Sequence, residues 1–121
     1  MERNVAKKKS YEFAVRVVNM YKHLSKEKKE FVLSKQVLRS GTSIGANVSE
    51  ALRGSSKADF INKINISYKE ARETLYWLQL LYDTGYLKES AFISIHKDCD
   101  EIARILYSIV NTSRKNSIKK N

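Results

Sequence analysis

The sequence predicts an all-α protein, an antiparallel up-down-up-down four-helix bundle, on three observations. Its 121 residues contain four glycines and no proline, so helix breakers are scarce. Apolar residues recur at spacings of three and four through four segments, the period of a helix face and not of a strand. The corners between those segments are short and polar, and helices joined that tightly bury their apolar stripes most simply by doubling back on one another.

The first segment, SYEFAVRVVNMYKHL, carries Phe13, Val17, Met20, Tyr21 and Leu24 at helical spacing with charges between them. A polar corner, SKEKKE, follows, and Ser25 is a fitting N-cap for a second helix over residues 26–52. That helix carries Leu33, Val37, Gly41, Ile44, Val48 and Leu52 on one face, and Gly54 supplies its stop. Ser56, with Asp59 three residues on, resembles a capping box that starts a third helix. In it Ile61, Ile64, Tyr68, Ala71, Leu75, Leu78 and Tyr82 form an unbroken seam that ends at Gly85. The fourth helix shows Phe92, Ile95, Cys99, Ile102, Leu106 and Ile109 before fading into NTSRKNSIKKN. The expected division is a basic N-terminal tail over 1–9, a bundle domain over 10–112 and a basic C-terminal tail over 113–121.

The stretch RSGTSIGANVSEA, residues 39–51, is rich in small residues yet keeps its helical spacing. A phosphate-binding loop would need a Gly-Lys-Ser/Thr ending or a GxGxxG pattern, and neither is there. Gly41 and Gly45 lie one turn apart, so they predict a groove into which another helix packs closely. Each glycine costs the helix about 1 kcal/mol relative to alanine, which tight packing must offset. Asn47 beside the groove is expected to find a partner on a neighbouring helix or turn.

The formal charge is +10, and its placement is uneven. Arg3, Lys7, Lys8 and Lys9 against Glu2 leave +3 on residues 1–9, while Arg114, Lys115, Lys119 and Lys120 put +4 on residues 111–121. An even number of alternating helices returns both ends, and the corner between helices 2 and 3, to one pole. Lys7, Lys8, Lys9, Arg53, Lys57, Arg114, Lys115, Lys119 and Lys120 would gather there, a patch suited to RNA or DNA phosphates. No motif points to base-specific readout. The rival expectation is a protein-interaction scaffold whose basic tails serve solubility alone.

Catalysis is not expected. His23 and His96 have no serine or cysteine partner in a recognisable arrangement, and Met20 and Ile93 stand where a di-iron bundle would place glutamates. His96, Cys99 and Asp100 share a helix face, but three ligands fall short of a structural zinc site and Cys99 lies in the core register. No metal or cofactor is therefore expected. Glu70 and Glu73 read as surface carboxylates, Glu73 pairing with Lys69. No apolar run makes a signal peptide or a membrane span, so a cytoplasmic protein is expected. Helix 3 also carries Ile66, Trp77, Leu80 and Leu81 off its seam, more apolar surface than a small bundle should bury alone. That predicts self-association, the alternative being that Trp77 seals the bundle end.

LSKQVLRSGTSIGANVSEA, SKADFINKI, KEARETLYWLQLL and DTGYL together resemble the bacterial four helix bundle protein family, which includes proteins encoded in intervening sequences of the large ribosomal RNA gene. The likeness spans residues 33–87. A more distant relative is the accessory variability determinant of diversity-generating retroelements. The resemblance implies a bundle assembled as a barrel-like homopentamer without enzymatic activity. From the distant relative it implies basic surface on nucleic acid and a reverse transcriptase partner. Arg39, Ser43, Ile44, Asn47 and Glu50 on helix 2, and Phe60, Glu70, Glu73 and Trp77 on helix 3, occupy the family's signature and are implied to be structural and assembly positions. Where many relatives read NIAEG this chain reads NVSEA, so Ala51 replaces a family glycine.

Overall fold

A computed structural model describes residues 1–54 and 56–120, with side chains described through Asn116. Four helices follow one another: α1 (Glu2–Lys26), α2 (Leu33–Leu52), α3 (Lys57–Asp83) and α4 (Glu89–Lys120). Among the described residues there is no strand. Each helix packs on its neighbour in sequence and α4 closes the ring against α1. The stripes read from the sequence meet inside: Val17, Ile44, Leu78 and Leu106, one from each helix, are fully buried.

Polar pairs between α2 and α3 set the register. Glu50 meets Lys63 at 2.9 Å, the Ile44 carbonyl accepts from the Ser67 hydroxyl at 2.7 Å, and the Ser40 and Thr74 hydroxyls share a bond of 2.8 Å. The α3 number climbs as the α2 number falls. Ser67, Ser40 and Thr74 are completely buried, so these bonds are the partners without which such hydroxyls would be costly inside a core.

The seam on α2 has a direct cause. A Cβ at Gly41 would lie 2.9 Å from Val17 Cγ2, and one at Gly45 would lie 3.2 Å from the Ser10 carbonyl oxygen. Helix α1 therefore approaches α2 as closely as bare backbone permits. Asn47 does not reach another helix; its amide donates to the Ser43 carbonyl of its own helix at 2.8 Å. Its expected outside partner is unnecessary because one turn of its own helix supplies an acceptor.

Several ends differ from expectation. Residues 2–9 are not a tail: they form the first turns of α1, with Ala6 buried. Helix α4 likewise continues past residue 112, burying Ser113. Each terminal helix gives the other something to pack on. Met1, Glu2 and Arg3 share a cleft with Ile109, Thr112 and Ser113, and the Ser108 hydroxyl donates to Glu2 at 2.9 Å. The residues buried beyond the expected domain bounds, Ala6 and Ser113, are small, so no large apolar stripe marks them in the sequence.

Helix α2 begins at Leu33, not near Lys26, and Ser25 lies inside α1, donating to the Tyr21 carbonyl at 2.8 Å. The chain turns at Lys29, whose φ is +55°, and the carboxylate of Glu30 takes over the capping. It accepts from the backbone N–H of Val32, Leu33 and Ser34 at 3.1, 3.2 and 2.7 Å. Gly54 keeps no left-handed turn, whereas Gly85 does, with φ +87°. There the N–H of Tyr86 returns to Leu81 O and that of Gly85 to Tyr82 O, closing α3. Ser56 caps α3 as expected, accepting from Asp59 N–H at 3.1 Å.

Burial pushes the Glu30 carboxyl pKa up, but the three backbone donors and the Ser34 side chain outweigh it and hold the carboxyl below its ordinary value. Its contribution to stability is thus present above the ordinary carboxylate range and lost as pH falls through the lowered value. Glu30→Ala should destabilise the protein by about 1–2 kcal/mol at neutral pH, as loss of a helix cap does. The deficit should shrink once the wild-type carboxyl is protonated. Urea unfolding at neutral and acid pH checks this, and an equal deficit at both would refute it.

Candidate nucleic-acid interface

Two contacts assemble one pole of the molecule. The Arg3 guanidinium sits over the Phe60 ring at 4.0 Å, joining the start of α1 to the start of α3. Glu2 and Ser108 join α1 to the far part of α4. Arg53, just past the end of α2, and Lys57, at the start of α3, lie at that end, while Lys7 and Lys8 follow on α1 and Arg114 and Lys115 on the last part of α4. All six of those side chains are exposed, and among the described residues none has an ion-pair partner.

Lys9 does not belong with them. Its ammonium pairs with Glu101 on α4, and that bond raises its affinity for a proton. Position 9 lies one helical step round from Lys8, enough to turn it from solvent to the α1/α4 groove. The side chains of Lys119 and Lys120 lie outside the described residues.

The signature on α2 and α3 builds a different region. Arg39 spans both carboxylates of α3, reaching Glu70 at 3.2 Å and Glu73 through its second nitrogen. Glu73 thus pairs across helices and not with Lys69, because Arg39 offers a planar fork to two carboxylates at once. Ile44 and Phe60 are buried, Ser43 and Asn47 are half-buried, and Glu50 holds Lys63. A model of the 23S rRNA-intervening sequence protein family matches residues 2–108.

The chain belongs to that family. It is also similar to a crystal structure described as a protein of unknown function from the S23 ribosomal protein family of Bacteroides thetaiotaomicron. The two are 58% identical, the match covers 92% of this chain and 99% of that one, and the TM-score is 0.90. No curated protein matches.

In this member of the 23S rRNA-intervening sequence protein family, Cys99 is a core thiol. It donates to the Ala71 carbonyl at 3.4 Å, and burial, followed by the carboxylates of Asp100 and Asp98, pushes its pKa up to about 12. A thiol held protonated in this way is a poor ligand and a poor nucleophile. His96 lies beside the Phe92 ring, 5.1 Å between centroids. Among the described residues no three His, Cys, Asp or Glu side chains converge to hold a metal. No helix among them is long and apolar enough to cross a membrane.

The second apolar face of α3 is partly used within the chain. Leu81 is fully buried, and Trp77 packs on the core with Tyr76 against it edge-on, 5.1 Å between centroids. Helix α3 lies between α2 and α4, so two apolar faces serve two neighbours. The Trp77 indole N–H is nevertheless buried without a hydrogen-bond partner. Glu30 is the residue that sequence reasoning missed. Its signal was Ser34 four positions on, whose hydroxyl donates to the Glu30 carbonyl at 2.7 Å.

Proposed function

We propose that this protein is a non-enzymatic, oligomeric helical bundle of antiparallel up-down-up-down design that binds RNA or DNA through phosphate contacts. One observation carries the reading: the start of α1 meets the start of α3 and the far part of α4, and the cations on these elements, Lys7, Lys8, Arg53, Lys57, Arg114 and Lys115, are all exposed. Unpaired cations concentrated on one surface are what counterion release requires, and affinity of that kind is independent of base sequence. The opposed numbering of the α2–α3 pairs supports the antiparallel design. Assembly as a homopentamer is what the resemblance implies, and exposed apolar side chains at Val32 and Tyr76, the latter against a Trp77 whose N–H lacks an acceptor, support self-association.

Changing Arg53, Lys57, Arg114 and Lys115 together to glutamine should weaken binding of a mixed-sequence single-stranded RNA. The slope of log affinity against log salt should also flatten by roughly 0.7 for each phosphate that the variant no longer neutralises. Fluorescence anisotropy across a salt series reads both. Affinity and slope equal to wild type would overturn the reading and favour a scaffold that docks on a protein partner such as a reverse transcriptase. Light scattering with and without the RNA reports the subunit number and the binding together.

A further inference from the structure

Helices α3 and α4 enclose a groove of about 250 Å³ lined by Tyr68, Arg72, Asp100, Ala103, Arg104 and Tyr107. The chemistry of this lining is unlike that of the pole. Its floor is the small, buried Ala103. Two tyrosine rings stand side by side, 5.6 Å between centroids and inclined at 46°, and Tyr107 is 53% exposed. An exposed aromatic side chain is costly to leave in water, and among the described residues none covers it fully.

Two guanidinium groups flank the rings. Arg104 holds Asp100 at 2.8 Å on its own helix while its side chain remains 81% exposed. Arg72 is exposed, and among the described residues it has no ion-pair partner. Two arginines against one carboxylate leave the groove positive. Helical spacing extends the pattern: Arg104, Tyr107, Asn111 and Arg114 follow at three, four and three residues, one line along α4 that ends at the basic pole. Ten residues of helix make that line about 15 Å long.

Flat rings beside cations, on a track of positive charge, match a chain that alternates planar rings with negative charges. We propose that the α3/α4 groove is a stacking site for an unpaired base of single-stranded RNA or DNA. Tyr68 and Tyr107 take the base, and Arg72 and Arg104 take its flanking phosphates. The inference rests on the nucleic-acid reading above and adds a preference to it. Phosphate contacts at the pole accept duplex and single strand alike, whereas a ring stacked on tyrosine must first be free of its complement. An acidic peptide would satisfy the arginines but leave the tyrosines unused.

The test compares a labelled 12-nucleotide oligouridine, the corresponding RNA duplex and an oligoglutamate peptide, using the full chain and fluorescence anisotropy. Tyr107→Ala should lower the ratio of single-strand to duplex affinity by about 10-fold, within the range of one stacked base. Tyr107→Trp, which keeps a ring in place, should restore it. Arg72→Gln, on an exposed side chain, should weaken the single strand independently, and circular dichroism verifies that each variant is folded. A ratio unchanged by Tyr107→Ala overturns the inference while leaving the basic pole in place. Oligoglutamate weakened as much as oligouridine also overturns it, making the groove an anion site. Wild-type protein that binds neither nucleic acid removes both readings at once.

Discussion

Ile44→Ala should lower the unfolding free energy by about 2–5 kcal/mol, the range for a large aliphatic side chain cut back inside a core. Ile44 is fully buried at the middle of α2, and its carbonyl accepts the Ser67 hydroxyl, so both its side chain and its backbone are tied into the core. Neighbours can relax into the space only slightly, because α2 is held on one side by the close approach of α1 and on the other by polar bonds to α3. For a domain with a total stability of about 5–15 kcal/mol the loss is severe. Urea unfolding followed by circular dichroism measures it. Ile93→Ala, at a side chain 55% exposed, should stay within about 0.5 kcal/mol of wild type. A loss below about 1 kcal/mol for Ile44→Ala would mean that the centre of the bundle is loosely packed.

Gly41→Leu should cost about 3 kcal/mol, at the upper end for added core volume. The first added carbon would already stand 2.9 and 3.0 Å from the two Val17 methyl groups. Val17 is itself completely buried and β-branched, so it has no free rotamer to retreat into and the helices must separate. The gain in helix propensity, about 1 kcal/mol for leaving glycine, is smaller than that clash. Combining Gly41→Leu with Val17→Ala exchanges volume across the contact and should recover part of the loss. The two changes should therefore be non-additive in unfolding experiments, as contacting residues are. Strict additivity would show that the two positions do not share the space assigned to them.

Most of the helical architecture was legible because a helix repeats its faces every few residues. The stripes through Val17, Ile44, Leu78 and Leu106 announce themselves without knowledge of what they meet. The capping serine at position 56 was equally plain, since its bond to Asp59 closes within one turn. Legibility failed where partners were distant or small. Residues 1–9 looked like a tail because Ala6 is too small to register as a stripe, yet it is buried on α1. Lys9 looked free until Glu101, far along the chain, was seen to hold it. Glu73 had a nearer candidate in Lys69, but Arg39 competes with two nitrogens and two carboxylates. At Glu30, a run of lysines and glutamates hid the one carboxylate that folds back on the start of α2.

The candidate sites divide in the same way. The sum of charge at each end of the chain is a property of composition, and short corners between four helices are read directly from the spacing of the apolar segments. Amino-acid order alone therefore determined the helix count, the core stripes, the glycine seam on α2 and the basic character of both ends. Which lysines remain free, and the meeting of Tyr68 with Tyr107, were decided only by the tertiary structure. Side chains 39 positions apart have no local energetic link. Their distance is set by how α3 and α4 rotate about their axes when the bundle buries its core, and the rotation that hides Ala71 and Cys99 is the one that brings the two rings together.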